Sequence, residues 1–198
     1  MMNKTDEELL EQAQKLHAEA QVLLFQDGLL ATIQRFGPTF ISGSVALNLM
    51  VRRDIDIYVR LSNDLDITTF FAIGAAITQQ LQVLKASYSN HFIRNFPGFD
   101  HGLFWGIQLN HQGQKWKLDL WGHGPHHFDE HCAQFEQLRE TLKTLDQVTI
   151  LRIKDALRDG DGYRYGVSGN DIYTAVLTAN VRTTEQFCDW WNRKALQQ

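Results

Sequence analysis

The segment Asp54-Ile55-Asp56-Ile57-Tyr58-Val59 alternates polar and apolar residues without a break, and it constrains the chain more than any other feature. Strict period two selects a β-strand buried on one side. Asp54, Asp56 and Tyr58 then share one face, while Ile55, Ile57 and Val59 share the other. Two carboxylates side by side repel, and both stay ionised only with a counter-charge or full solvation. A divalent cation supplies the first; an edge strand wetted on one face supplies the second. Oxygen-only ligands favour magnesium or manganese over zinc. Taken alone, the pair leaves both readings open.

The preceding segment narrows the choice. Thr39 to Ser42 is a short strand-like run closed by Gly43-Ser44, and nine residues, 45 to 53, lead from Ser44 to Asp54. Val45 to Met50 is long enough for one or two helical turns. Gly43 permits close backbone approach, Ser44 brings a hydroxyl, and the N–H groups that open a helix attract anions. A phosphate cradle beside the carboxylates is the expectation, against a plain Gly-Ser turn. Arg52 and Arg53 stand where they touch phosphate or simply face water.

The remaining pattern predicts an α/β (α+β) chain with a small mixed sheet flanked by helices and a helical C-terminal region. Thr5 and Glu8 have capping-box spacing ahead of a helix with Leu9, Leu10, Ala13, Leu16 and Ala20 at helical period. Asp27-Gly28 breaks it, a short helix runs to Arg35, and Gly37-Pro38 stops that. Phe70, Ile73, Ile77, Leu81 and Leu84 read as the buried stripe of one helix. Strands are expected at Leu103 to Leu109 and Trp116 to Trp121, joined by the loop 110–114. In the second of these Lys117, Asp119 and Trp121 share a face. Beyond Pro125 the chain reads as helix, with a stripe through Phe128, Cys132, Phe135, Leu138, Leu142 and Leu145. Asp146, Ser168 and Thr183 are the expected N-caps of the last helices. The division expected is 1–124 as a catalytic domain and 125–198 as a helical region packed on it.

The run Ile41-Ser42-Gly43-Ser44, nine residues, then Asp54-Ile55-Asp56-Ile57 resembles the signature of the DNA polymerase β-like nucleotidyltransferase superfamily. That signature is a hydrophobic residue, Gly, Gly or Ser, a spacer, then Asp-hydrophobic-Asp-hydrophobic. The superfamily includes poly(A) polymerases, antibiotic nucleotidyltransferases and minimal nucleotidyltransferases, and the resemblance covers about residues 38 to 122. A third carboxylate lies on a later strand in such proteins, and Asp119 fits that place in order and context. The resemblance implies that Asp54, Asp56 and Asp119 hold two magnesium ions, one arriving with a nucleoside triphosphate, and that Gly43 and Ser44 bind it. It implies transfer of a nucleoside monophosphate, AMP from ATP, to an acceptor hydroxyl whose proton Asp119 takes. The alternative is a catalytically silent nucleotide- or partner-binding protein on the same fold.

The formal net charge of −4 argues against a chain that coats nucleic acid. The expected acceptor is therefore a small molecule, with a protein acceptor as the second choice and nucleic acid behind both. The N-terminus lacks an apolar targeting segment, no run is long enough to span a membrane, and Cys132 and Cys188 read as reduced core thiols, so a cytoplasmic protein is expected. His123, His126, His127 and His131 cluster after Asp119; His127 and His131 are one helical turn apart and could share a ligand, but with no H-E-x-x-H pattern and no cysteine pair nearby a solvated loop and helix start is the better reading. His123 and Trp121 are candidates for the acceptor pocket. Lys143 and Lys154 are read as solvated, and Asp159-Gly160-Asp161-Gly162, which lacks a closing calcium ligand, reads as a helix C-terminus and turn. Phe99, Phe104, Trp105, Trp116, Tyr163 and Tyr165 are expected in the core for the most part, with Trp190 and Trp191 pinning the last helix.

Overall fold

The computed structural model describes residues 4–94, 101–142, 144–158 and 166–196. Helix α1, Asp6–Gln21, opens on a reciprocal cap in which Thr5 Oγ1 accepts from Glu8 N–H at 3.2 Å and Glu8 Oε2 accepts from Thr5 N–H at 2.7 Å. One π-helical turn, Val22–Gln26, carries it to Asp27-Gly28, and α2, Leu29–Gln34, follows. Strand β1 is Thr39–Ser42, α3 is Gly43–Ala46, and β2 is Asp54–Arg60. Then come α4 (Ile67–Gln80), β3 (Gln82–Asn90), α5 (His91–Arg94), β4 (Leu103–His111) and β5 (Gln114–His123). Among the described residues four helices follow: α6 (Pro125–Thr141), α7 (Thr144–Arg158), α8 (Gly169–Thr178) and α9 (Thr184–Ala195).

The five strands form one mixed sheet in the order β1-β2-β5-β4-β3. Only β2 and β5 pair in parallel; the other neighbours are antiparallel. The β4–β5 hairpin closes on Gln112 and Gly113, both at positive φ (51° and 74°), the backbone that lets a tight turn follow the twist of its strands. Strand β3 departs from the sequence expectation. Leu81 ends α4 in extended backbone, and Leu84, predicted in the helix stripe, sits on β3 with 57% of its surface exposed. Phe70, Ile73 and Ile77 do form the buried stripe of α4.

One face of the sheet carries the first core. Ile55, Ile57 and Val59 of β2, Leu118 and Leu120 of β5, and Ile107 of β4 are buried against Phe70, Ile73 and Ile77 of α4 and Leu23, Leu29 and Ile33 nearby. At about 25 cal/mol per Å2 of apolar surface removed from water, each such side chain contributes roughly 1.5–3 kcal/mol. A second cluster joins Leu9 and Ala13 of α1 to Leu49 and Val51 ahead of β2, Ile150 and Ile153 of α7, Ile172 of α8 and Phe187 of α9. Trp190 and Trp191 pack half-buried against it. The capping residues Ser168 and Thr183 act as expected, accepting from Asp171 N–H and Gln186 N–H. Asp146 does not: α7 starts at Thr144, and Asp146 is instead a buried acceptor for Arg182 Nη1 at 3.0 Å. Tertiary pairing with Arg182 outweighs the local cap. Cys132 is half-buried and Cys188 exposed, both as free thiols, so Cys188 is not the core residue expected.

Candidate active site

Parallel pairing of β2 with β5 decides the geometry. Asp56 lies directly opposite Asp119, and Asp54 opposite Lys117, on the sheet face away from the first core. Ser42 of β1 is the partner of Asp56 on its other side. All three aspartates therefore open onto one cavity of about 640 Å3, together with Gly43, Ser44 and Lys117. Helix α6 lies over the sheet beside it, where His131 stacks on Tyr58 at 5.0 Å and Phe135 meets Phe40 edge-on at 5.1 Å. The far wall comes from Lys154 of α7 and from Ser168, Asn170 and Tyr173 at α8.

Gly43 has a steric reason to be glycine. Its φ is +62°, and a β-carbon there would stand 2.2 Å from Asp56 Oδ2. The α3 turn is thus pressed against the second aspartate, which fits the close approach expected of a phosphate cradle.

The carboxylates are held at high electrostatic cost. Burial, then Asp54 and Asp119, push the Asp56 carboxyl up to about 7. Burial also raises Asp119, with Lys117 opposing and Asp54 adding to the shift. Burial alone would lower Lys117, but Asp54 and Asp119 raise it above an ordinary lysine. The compensating cations are local: Arg52 Nη2 lies 3.0 Å from Asp54 Oδ2, and Lys117 Nζ donates to Asp119 Oδ2 while lying 3.7 Å from Asp54 Oδ1. Two buried oxygens, Asp54 Oδ1 and Asp119 Oδ1, accept no hydrogen bond among the described residues. Clustered carboxylates with spare buried oxygens suit a hard divalent cation. Among the described residues no three His, Cys, Asp or Glu side chains stand, as they are, grouped closely enough to hold a metal ion. The ammonium of Lys117 lies between two of the three aspartates, and a metal would take over its role as counter-charge.

Lys154 is not the solvated residue that the sequence suggests. It is 5% exposed, its Nζ donates to Leu49 O at 2.8 Å and to Tyr173 Oη at 3.3 Å, and burial lowers its pKa to about 8 against the pull of Asp56 and Asp54. Two of the three donors on its ammonium are used inside the protein, which leaves one for a ligand. The signal was the flanking pattern Ile150, Leu151, Ile153 and Leu157, which buries that face of α7. Ser168, Asn170 and Tyr173 carried no signal beyond the helix cap.

Other candidates sort differently. Arg53 turns from the cavity to pair with Glu19 at 2.8 Å. His123 is fully buried, neither ring nitrogen has a hydrogen-bond partner among the described residues, and burial followed by His131 and His127 depresses it to about 3. It does not line the cavity, and neither does Trp121, which stacks on Tyr58 at 6.4 Å. His127 hydrogen-bonds Asp64 at 3.0 Å, and His126 is exposed, 3.8 Å from Glu130. Phe99, Lys143, Asp159-Gly160-Asp161-Gly162, Tyr163 and Tyr165 lie outside the described residues.

A mixed sheet with a Gly-Ser turn feeding a D-x-D strand, and a third aspartate on the parallel neighbour, has the fold of the DNA polymerase β-like nucleotidyltransferases. Similar solved structures include a cytoplasmic RNA terminal U-transferase, with 12% identity and a TM-score of 0.52 over 86% of this chain and 53% of that one. The GLD-2/RNP-8 complex matches with 9% identity and a TM-score of 0.53 over 87% and 64%. Cid1, described with RNA terminal uridylyl transferase activity, matches with 12% identity and a TM-score of 0.50 over 87% and 55%. The chain thus spans less than two thirds of the length of each. No protein-family profile and no curated protein sequence matches it. No helix among the described residues is long and apolar enough to cross a membrane.

Proposed function

We propose that the chain is a metal-dependent nucleotidyltransferase that moves a nucleoside monophosphate from a nucleoside triphosphate, with ATP the first donor to test, to an acceptor hydroxyl. The observation that carries this reading is the register pair Asp56–Asp119 with Asp54 beside it, facing one cavity under the Gly43-Ser44 turn. Asp54, Asp56 and Asp119 would hold magnesium, which supplies charge neutralisation for the reacting phosphate and the leaving group. The RNA substrates named for the similar structures belong to those proteins; here the fold and the cavity support the reaction class.

The residues divide the work. Ser44 and the backbone at Gly43 face the phosphates, and Lys154 meets them from the opposite wall, where its low exposure keeps its charge from being screened. Asp119 takes the proton as the acceptor oxygen bonds to the α-phosphorus. The bond from that phosphorus to the bridging oxygen breaks, and pyrophosphate departs with the electron pair.

The test incubates the protein with labelled ATP and magnesium across an acceptor panel, beside Asp56→Asn. Pyrophosphate release by the wild type and its loss in the variant support transfer. Binding of MgATP with release absent for small-molecule, protein and nucleic-acid acceptors alike favours the silent binder.

A further inference from the structure

Lys117 is placed unlike the other lysine of the cavity. It stands on β5 two residues before Asp119, so both side chains rise from the same sheet face, and its register partner on β2 is Asp54. Its Nζ donates to Asp119 Oδ2 and lies 3.7 Å from Asp54 Oδ1. The side chains of Asp54 and Asp119 are mostly covered, whereas that of Lys117 is 47% exposed. The carboxylates are therefore fixed by their burial, and the lysine has room to leave on its flexible stem. Lys154 lacks that freedom, being buried and bonded to Leu49 O and Tyr173 Oη. With the ammonium in this place, no three ligating side chains among the described residues group closely enough for an ion. Drawing the carboxylates together requires Lys117 to withdraw.

We infer that Lys117 is a resident cation that keeps free magnesium off the aspartates and yields its place when a metal arrives on a nucleoside triphosphate. This rests on the nucleotidyltransferase reading and assigns the order in which that site loads. A free magnesium ion sheds its water reluctantly, and here it competes with an ammonium tethered at high effective concentration. A triphosphate changes both conditions. Its oxygens already replace part of the metal's water, and they offer the departing ammonium an anion in the same cavity, which Lys117 lines together with Ser44. Asp54 Oδ1 and Asp119 Oδ1, which accept no hydrogen bond among the described residues, stay available as ligands throughout. Such coupling is reciprocal: nucleotide strengthens metal binding by the factor by which metal strengthens nucleotide binding.

The experiment uses the full chain with manganese as the probe, read by the electron paramagnetic resonance signal of the free ion, with ATP absent and present. Lys117→Met nearly keeps the length of the side chain and removes its charge. It should bind Mn2+ alone about tenfold or more tightly than the wild type, the scale of one charged hydrogen bond. Lys115→Met removes a charge from the same strand face, about 6.6 Å further out, and should stay within about twofold of the wild type. With ATP the advantage of Lys117→Met should vanish, because the phosphates lose the partner that the lysine becomes. Thermal melting checks that each variant folds, and Lys117→Gln takes the place of a methionine variant that does not. Wild-type or weaker Mn2+ affinity in the Lys117 variant overturns the inference. So does a Lys115→Met variant improved as much, which makes the effect one of general charge, and so does an advantage that persists in full with ATP. Absence of Mn2+ binding in wild type and variants alike, with ATP and without, overturns the transfer reading itself.

Discussion

Asp56→Asn separates what the acidic cluster costs from what it does. In the metal-free protein burial, Asp54 and Asp119 hold this carboxyl at about 7, against 3.8 for an ordinary aspartate. The fold therefore binds the proton more tightly than the unfolded chain does. Stability contributed by this group is fully present below 3.8 and is lost as the pH rises through about 7. At about 1.36 kcal/mol for each pH unit the ceiling is roughly 4 kcal/mol. Solvent in the open cavity reduces this to about 1–3 kcal/mol. Asparagine keeps the shape and carries no charge, so the metal-free variant should gain that amount above neutrality and lose the pH dependence. Magnesium should stabilise the wild type and have little effect on the variant, because binding to the native state adds to its stability. Turnover should fall by about 100-fold or more, the usual loss when one group stabilising transition-state charge is removed. Urea unfolding of both proteins from mildly acidic to mildly alkaline pH, in EDTA and in magnesium, measures the first three effects. A variant as pH-sensitive as the wild type, or less stable than it above neutrality, refutes the electrostatic argument; unchanged turnover removes Asp56 from the chemistry.

Nucleoside triphosphate should bind weakly without a divalent cation, because its phosphates meet three clustered carboxylates whose cations, Arg52 and Lys117, are already paired with them; equal affinity in EDTA, by calorimetry, places the phosphates elsewhere. Gly43→Ala should cost about 1–3 kcal/mol from its positive φ and displace Asp56, lowering activity more than stability; chemical denaturation with a parallel rate assay checks both, and a fully active variant defeats the close-approach reading. Lys154→Met should keep the fold and weaken MgATP binding about tenfold, the scale of one charged hydrogen bond; unaltered affinity shows that the lysine serves Leu49 and Tyr173 alone.

Local pattern decided much of this protein before any packing was known. Period-two alternation put Asp54 and Asp56 on one face of β2, and Gly43-Ser44 closed β1 where a turn had to follow. Capping spacings at Thr5, Ser168 and Thr183 set three helix starts, since each depends on groups within one turn. What lay across long sequence distances was settled by tertiary structure. The stripe through Leu81 and Leu84 read as helix because apolar spacing near a helix end also suits an edge strand, and only pairing with β4 made β3 a strand. Asp146 gave up its cap for Arg182, 36 residues away. Lys154 looked solvated because a lysine's burial depends on the carbonyl and hydroxyl that receive it, and Leu49 and Tyr173 come from other elements. The place of Asp119 beside Asp56 could be expected by resemblance, but it is the parallel β2–β5 register that creates it. The sequence by itself determined which residues carry charge and which way each faces along its own strand or helix. Which charges meet, and at what cost, was decided by the tertiary structure, because Coulomb energies and desolvation depend on distances that only packing defines.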